Sequence, residues 1–205
     1  IMILDPNEIP FQETHKLMIG SIIPRPIAFV STRSKDGKNN VAPFSYFTAV
    51  SSAPPILMIS IGKKPNGDNK DTLVNIIKNN KMVIHIASEE HANLVTQTAK
   101  TLPHGDSELT HNKIITTEFY NFPLPRLVQC DIAYGCELYE IKELGDVPQN
   151  LIFVEVKQVY INDKVADIDE KQRIKVYADR IKPLARLGGG EYATIEETFS
   201  LARPK

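Results

Sequence analysis

The chain has 205 residues, 24 basic and 25 acidic side chains and a formal net charge of −1. This length is expected to form a single domain over 1–205 with a sizeable core. The balanced charge argues against a nucleic-acid or membrane-surface protein. No apolar run approaches the ~20 residues of a spanning helix. The segment IMILDPNEIPF lacks the basic start and small-residue cleavage site of a secretory signal, and two cysteines expected to be reduced point to a cytoplasmic location.

In chain order, IAFVST (27–32) is β-branched and apolar and reads as a strand. Asp36-Gly37 supplies a hairpin turn, and the chain returns as a second strand from Asn40 to Phe44. SYFTAVSSAPP reads as irregular, and Pro54-Pro55 forces an extended entry into the next segment. ILMISIG (56–62) is apolar enough for a barrel wall. DTLVNIIKNN (71–80) predicts a short helix with a stripe of Leu73, Ile76 and Ile77, stopped by Asn79-Asn80. KMVIHIAS (81–88) is another strand, and EEHANLVTQTAK (89–100) a helix with acids at its start. TLPHGDSELTHNK (101–113) is a long loop.

Val128, Cys130, Ile132, Tyr134, Cys136 and Leu138 alternate with wetter residues, which predicts one strand from Val128 to Leu138. LIFVEVKQVYI (151–161) is its expected antiparallel partner, with a phase shift near Gln158 that suggests a bulge. Residues 163–182 read as a short helix with turns, and LARLGGGEYATI as a glycine-rich turn before a last ordered segment. Strands with a few short helices predict a mainly β, barrel-like fold.

On one strand, Cys130 and Cys136 would stand too far apart for a disulfide. They are expected to be reduced and buried. No Cys-x-x-Cys or His-x-His spacing supports a metal site. His85 lies within an apolar strand and reads as a satisfied core residue. His91 reads as helix surface, and His104 and His111 as loop residues. Of these, His104 reads either as a solvated loop histidine or as a contact to a ligand that the loop would cover.

Three stretches combine residue types suited to an anionic, flat ligand. Lys70-Asp71-Thr72-x-x-Asn75 opens a helix, where unpaired N–H groups and the helix dipole favour a phosphate. Lys70 adds charge and Thr72 a donor, while Asp71 suits an N-cap. The plain alternative is a capped helix with a surface lysine. Arg25, between two prolines, suits a phosphate clamp. Ser31 and Thr32 end a strand and carry hydroxyls. Pro43 limits sheet pairing, so the chain from Ala42 to Phe47 can bend and aim N–H groups outward. Phe44, Tyr46 and Phe47 either wall a flat ring or form a core cluster, and Ser45 can donate to a ring carbonyl.

The ordered set PRPIAFVST, DGxxNxAPFSYF, PPxxMISI and KDTLVNI, with IKPLARLGGGEYA at the end, closely resembles the flavin reductase-like family of FMN-binding split β-barrels. The resemblance spans roughly residues 15 to 195. It implies a split β-barrel with short flanking helices and FMN as cofactor. It places Arg25, Ser31, Thr32, Lys70 and Thr72 around the ribityl phosphate. Ala42, Pro43, Phe44, Ser45, Tyr46 and Phe47 would line the isoalloxazine, with Ser60 and Ile61 beside the ring or ribityl chain. Asn75 matches the pattern as a ligand or as a brace for the helix. The resemblance further implies a homodimer with NAD(P)H as co-substrate, and hydride transfer from nicotinamide to flavin N5. An FMN-bearing electron carrier of flavoredoxin type is the alternative. Gly188-Gly189-Gly190 lacks the dinucleotide-binding spacing of a Rossmann fold. In the family this end of the chain lies near the flavin, so Arg186 or Tyr192 could face a ligand.

Overall fold

A computed structural model describes residues 1–100, 107–202 and 204. Helix α1 (Phe11–Ser21) opens the fold, followed by strands β1 (Arg25–Pro26), β2 (Ala28–Arg33), β3 (Asn39–Phe44), β4 (Phe47–Ser52) and β5 (Pro55–Ile61). Helix α2 (Asp71–Asn79) leads to β6 (Lys81–Ile86), a 3-10 turn at Glu89–His91, and helices α3 (Ala92–Thr98) and α4 (Glu108–His111). Strands β7 (Thr116–Phe119), β8 (Phe122–Leu127), β9 (Ile132–Leu144) and β10 (Gln149–Ile161) come next. The chain closes with β11 (Ala166–Ile168), β12 (Ile174–Val176), α5 (Ala178–Ile181), β13 (Ala185–Arg186) and β14 (Tyr192–Ala193).

Seven strands form one antiparallel sheet in the order β3-β2-β6-β9-β10-β5-β4. Its two edges, β3 and β4, are consecutive in sequence, and only Ser45 and Tyr46 lie between them. The sheet therefore curls until its edges meet at this corner without pairing, which makes a split barrel. Pro43 sits on the β3 edge, opposite Phe29, where a missing N–H costs no ladder bond.

The barrel interior is filled by Ala28, Val30, Phe44, Ile59, Ile61, Met82, Ile84, Cys136, Ile152 and Val154. Leu73 and Ile76 of α2 plug one end of it. The opposite face of β2–β3 carries a second core, in which Phe29, Val41, Val95, Leu109, Leu127 and Cys130 pack together. The β7–β8 hairpin lays Phe119, Phe122 and Leu124 over Val83 and Ala133. At Gly135 an added Cβ would lie 2.8 Å from the Phe122 ring, so only glycine admits that ring.

Several sequence expectations need correction. Phe47–Ser52 is an edge strand paired with β5, with a register shift between Ala49 and Ser51, rather than an irregular stretch throughout. Its residues are largely exposed, so period-two burial is invisible there. The long strand starts at Ile132, not Val128, and runs to Leu144. Its early residues are covered on both faces and its later ones on neither. Cys130 precedes the strand, and the two free thiols sit in different cores. Burial pushes the Cys130 thiol up to about 12 and raises that of Cys136 as well. Residues 166–176 form a hairpin rather than a helix. Helix α1 has no buried residue, and its weak apolar pattern gave no sequence signal. The bulge near Gln158 is present, with a register shift between Val156 and Gln158. His85 is a core residue: Leu127 N–H donates to Nε2 at 2.9 Å, so the ring proton sits on Nδ1 and goes to the Phe29 carbonyl at 3.0 Å. His91 is buried rather than on a helix surface, and its Nδ1 accepts from the Ser88 N–H. His104 lies outside the described residues. No helix among the described residues is long and apolar enough to cross a membrane.

Candidate functional site

The β3 edge and the corner after it line three neighbouring cavities. The first, about 360 Å³, holds Asn40, Ala42, Pro43, Phe44, Lys70 and Thr72 in its wall. Lys63, Lys64 and Lys100 add three more cations there, and Asp71 and Glu108 two carboxylates. The second, about 280 Å³, shares Pro43 and Ala99 with the first and adds Ser45, Thr96, Arg186 and Tyr192. The third, about 350 Å³, shares Ser45 with the second and is mostly apolar, with Tyr46, Phe47, Met58, Ser60 and Met18 among its walls. Together they make a trench that is cationic at one end and apolar at the other.

The cationic end is built by the start of α2. Lys70, not Asp71, is the N-cap residue, and no side chain caps the helix. The expected Asp71 cap is thus replaced by an ion pair, Lys64 Nζ to Asp71 at 3.0 Å. A helix start without a side-chain cap bond at Lys70 is a place that suits an anion. Lys70 Nζ stands 5.5 Å from the centre of the Phe44 ring. Burial lowers the Lys70 pKa, which marks a cation short of solvent and suited to an anionic partner.

Behind this end lies a buried triad. Asn75 Nδ2 donates to Thr32 Oγ1 at 3.0 Å and to Asn40 Oδ1 at 3.3 Å, and Thr32 Oγ1 donates to Asn40 Oδ1. These bonds clamp α2 to the β2–β3 hairpin. Asn75 and Thr32 therefore brace the pocket, and of the three only Asn40 reaches its wall. Ser31 is also buried and lines none of the three cavities. Ile61 is fully buried in the barrel core, so its side chain is not available to a ligand.

Arg25 is placed differently from its expected phosphate role. Its guanidinium donates to the carbonyls of Ile19, Ile22 (3.3 Å) and Leu187 (2.9 Å). It borders the apolar cavity rather than the cationic one. Five donors in a rigid fork suit three carbonyls as well as a phosphate, and the sequence gave no way to choose between them.

Between the two ends, the chain leaves the sheet at Ser45–Tyr46. Tyr46 accepts from the Ser60 N–H at 2.9 Å, while the Ser45 and Tyr46 N–H groups donate to no backbone carbonyl among the described residues. Two successive main-chain donors thus stand at the junction of the cavities. The trench runs from a cationic corner along an edge strand to an apolar wall.

Glu108 went unnoticed because the sequence reads as loop over 101–113, whereas Glu108–His111 form α4. It is 9% exposed, accepts the Val41 N–H at 3.4 Å, and burial raises its pKa. Ser107 donates to the neighbouring Asn39 carbonyl. The pair covers the open edge of β3, the usual remedy for an unpaired strand. Among the described residues no group of acids, histidines and cysteines could hold a metal.

The model of the flavin reductase like domain matches residues 19–180, and the chain belongs to that family. Nitrilotriacetate monooxygenase component B from Bacillus cereus is 34% identical, with 98% of each chain covered and a TM-score of 0.89. The 2-nitrobenzoate 2-nitroreductase NbaA of Pseudomonas fluorescens is 28% identical, covering 99% of this chain and 96% of that one, with a TM-score of 0.87. A protein with a split barrel domain from Shewanella frigidimarina shares the fold at 17% identity, with a TM-score of 0.83 over 97% of this chain and 96% of that one.

Proposed function

We infer that this protein is an FMN-dependent oxidoreductase that takes electrons from NAD(P)H and passes them on through the flavin. The observation that carries this reading is the trench: Lys70 and Thr72 at an uncapped helix start, joined along Pro43 to the unpaired Ser45 and Tyr46 N–H groups. The neighbours that share the fold at 28–34% identity include, by name, a monooxygenase component and a nitroreductase, which supports a redox role.

In this reading the α2 N-terminus, Lys70 and Thr72 hold the phosphate. The Ser45 and Tyr46 N–H groups face the polar edge of the ring and hold negative charge there, as preorganised donors do without reorganising. Phe44 and Phe47 with Met58 exclude water from the ring. Bound FMN would supply the hydride-accepting and electron-releasing chemistry. No side chain of this protein is required to move a proton in that step. A homodimer fits the exposed apolar residues Phe11, Leu17 and Met18 of α1 and the exposed edge strand β4; sedimentation equilibrium tests it.

The visible spectrum of the purified protein, with FMN added if needed, is recorded before and after anaerobic NADH and NADPH. Bleaching of the bound flavin by one of them supports the reductase reading. Flavin bound but bleached by neither leaves the electron-carrier reading, and no flavin bound at all removes both.

A further inference from the structure

The middle cavity, which shares Pro43 and Ser45 with the flavin reading, also carries an arginine and a tyrosine to which that reading gives no part. Arg186 and Tyr192 are cross-strand partners of the β13–β14 hairpin, and the guanidinium lies 4.5 Å from the centre of the Tyr192 ring. Nη2 of Arg186 donates to the Gly189 carbonyl at the hairpin turn. Its Nε and Nη1 donate to no described residue. The planar fork is therefore held by stacking and by one bond, with four of its five N–H donors left for an anion.

The surroundings favour a ligand over mere solvent. Thr96 Oγ1 lies 2.8 Å from the Ala92 carbonyl and 3.2 Å from Tyr192 Oη. Its one proton goes to the carbonyl, so Tyr192 donates to Thr96, which fixes the phenol ring. Ile27, Val95 and Ala99 form the apolar floor. Ser45 belongs to this cavity and to the apolar one. A molecule seated here stands beside the ring end of the trench. The flavin's own phosphate already has its cations at the opposite end, around Lys70.

We propose that the Arg186–Tyr192 pocket binds the pyrophosphate of the nicotinamide dinucleotide that reduces the flavin. The proposal rests on the flavin reading above and deepens it. Guanidinium pairs with phosphate oxygens bidentately, and stacking on Tyr192 limits the freedom that would otherwise be lost on binding. Pro43 and Ser45 bring this anion site next to the proposed place of the ring, where the nicotinamide must lie.

The test compares wild type with Arg186→Met and Arg186→Lys, all loaded with FMN. Calorimetry measures binding of NAD⁺, and flavin fluorescence measures the Kd for FMN. Reduction rates are compared for NADH and for dihydronicotinamide riboside, which lacks phosphate. Arg186→Met should weaken NAD⁺ and lower kcat/KM for NADH by about 10- to 100-fold, with Arg186→Lys between. The FMN Kd and the rate with the riboside should stay within about twofold. Equal loss for both reductants, unchanged NADH kinetics, or a parallel loss of FMN affinity would overturn the proposal. A wild type that binds FMN but neither dinucleotide would overturn the reductase reading itself, and this proposal with it.

Discussion

Arg25 donates to the Leu187 carbonyl at 2.9 Å, across 162 positions of sequence. The same guanidinium takes the Ile19 and Ile22 carbonyls at the end of α1. One buried cation thus ties the N-terminal helix to the C-terminal hairpin that carries Arg186 and Tyr192. Gly188 packs so closely on Gly20 that an added Cβ would lie 3.2 Å from its Cα. The residue that suited a phosphate clamp in sequence is a joint between the two ends of the chain.

Arg25→Met should therefore act on stability. Loss of hydrogen bonds from a charged group to buried carbonyls is expected to cost on the order of 3 kcal/mol, measured by urea unfolding of the apo-protein. The ratio of FMN to riboflavin affinity should not change, because Arg25 does not reach the cationic cavity. A fall in that ratio would restore the clamp.

Asn75→Leu strips the amide from the buried triad, leaving Thr32 Oγ1 without its donor and Asn40 Oδ1 with Thr32 alone. The expected loss is about 1–3 kcal/mol, read from the urea midpoint. FMN should also bind more weakly, because the start of α2 is no longer clamped to the β2–β3 hairpin. Undiminished stability would show that the triad is not what holds the helix.

Much of the fold was legible because β2 and β5 are apolar runs bounded by turn signals, residue types alternate into β9, and α2 carries an apolar stripe. The Gln158 bulge was visible as a break in that phase. The signal failed where water covers both faces, as in β4 and the far half of β9, and where α1 buries nothing on this chain. Local chemistry put forward Lys70, Thr72 and residues 43–47, which line the neighbouring cavities, and it offered Asn75 as a brace for α2, the part it plays here. The partners of Arg25, Thr32 and Ile61 were not legible. Whether an arginine meets a ligand or a carbonyl, and whether an asparagine faces a pocket or a hydroxyl, depends on partners distant in sequence. Glu108 and the Arg186–Tyr192 stack belong to the same class.

His85 sets an acid limit. Burial drives its pKa from 6.5 down to about 4, while the unfolded chain keeps the ordinary value. Between these values the unfolded state binds a proton that the native ring refuses, since Nε2 is already taken by the Leu127 N–H. The stabilising contribution is complete above pH 6.5 and is lost as pH falls toward 4. A shift of this size corresponds to about 3 kcal/mol. Chemical denaturation of the apo-protein at a series of pH values checks the slope. A flat profile across that window would contradict the assigned tautomer.

The most direct test of the account is the pair of affinities for FMN and riboflavin, by fluorescence titration, in wild type and in the double variant Lys70→Ala, Thr72→Val. A charge-assisted contact and a hydroxyl donor removed together should weaken FMN by about 10- to 100-fold or more, and riboflavin, which has no phosphate, by less than about twofold. Equal losses for the two flavins, or none for either, would contradict the placement of the phosphate at the start of α2.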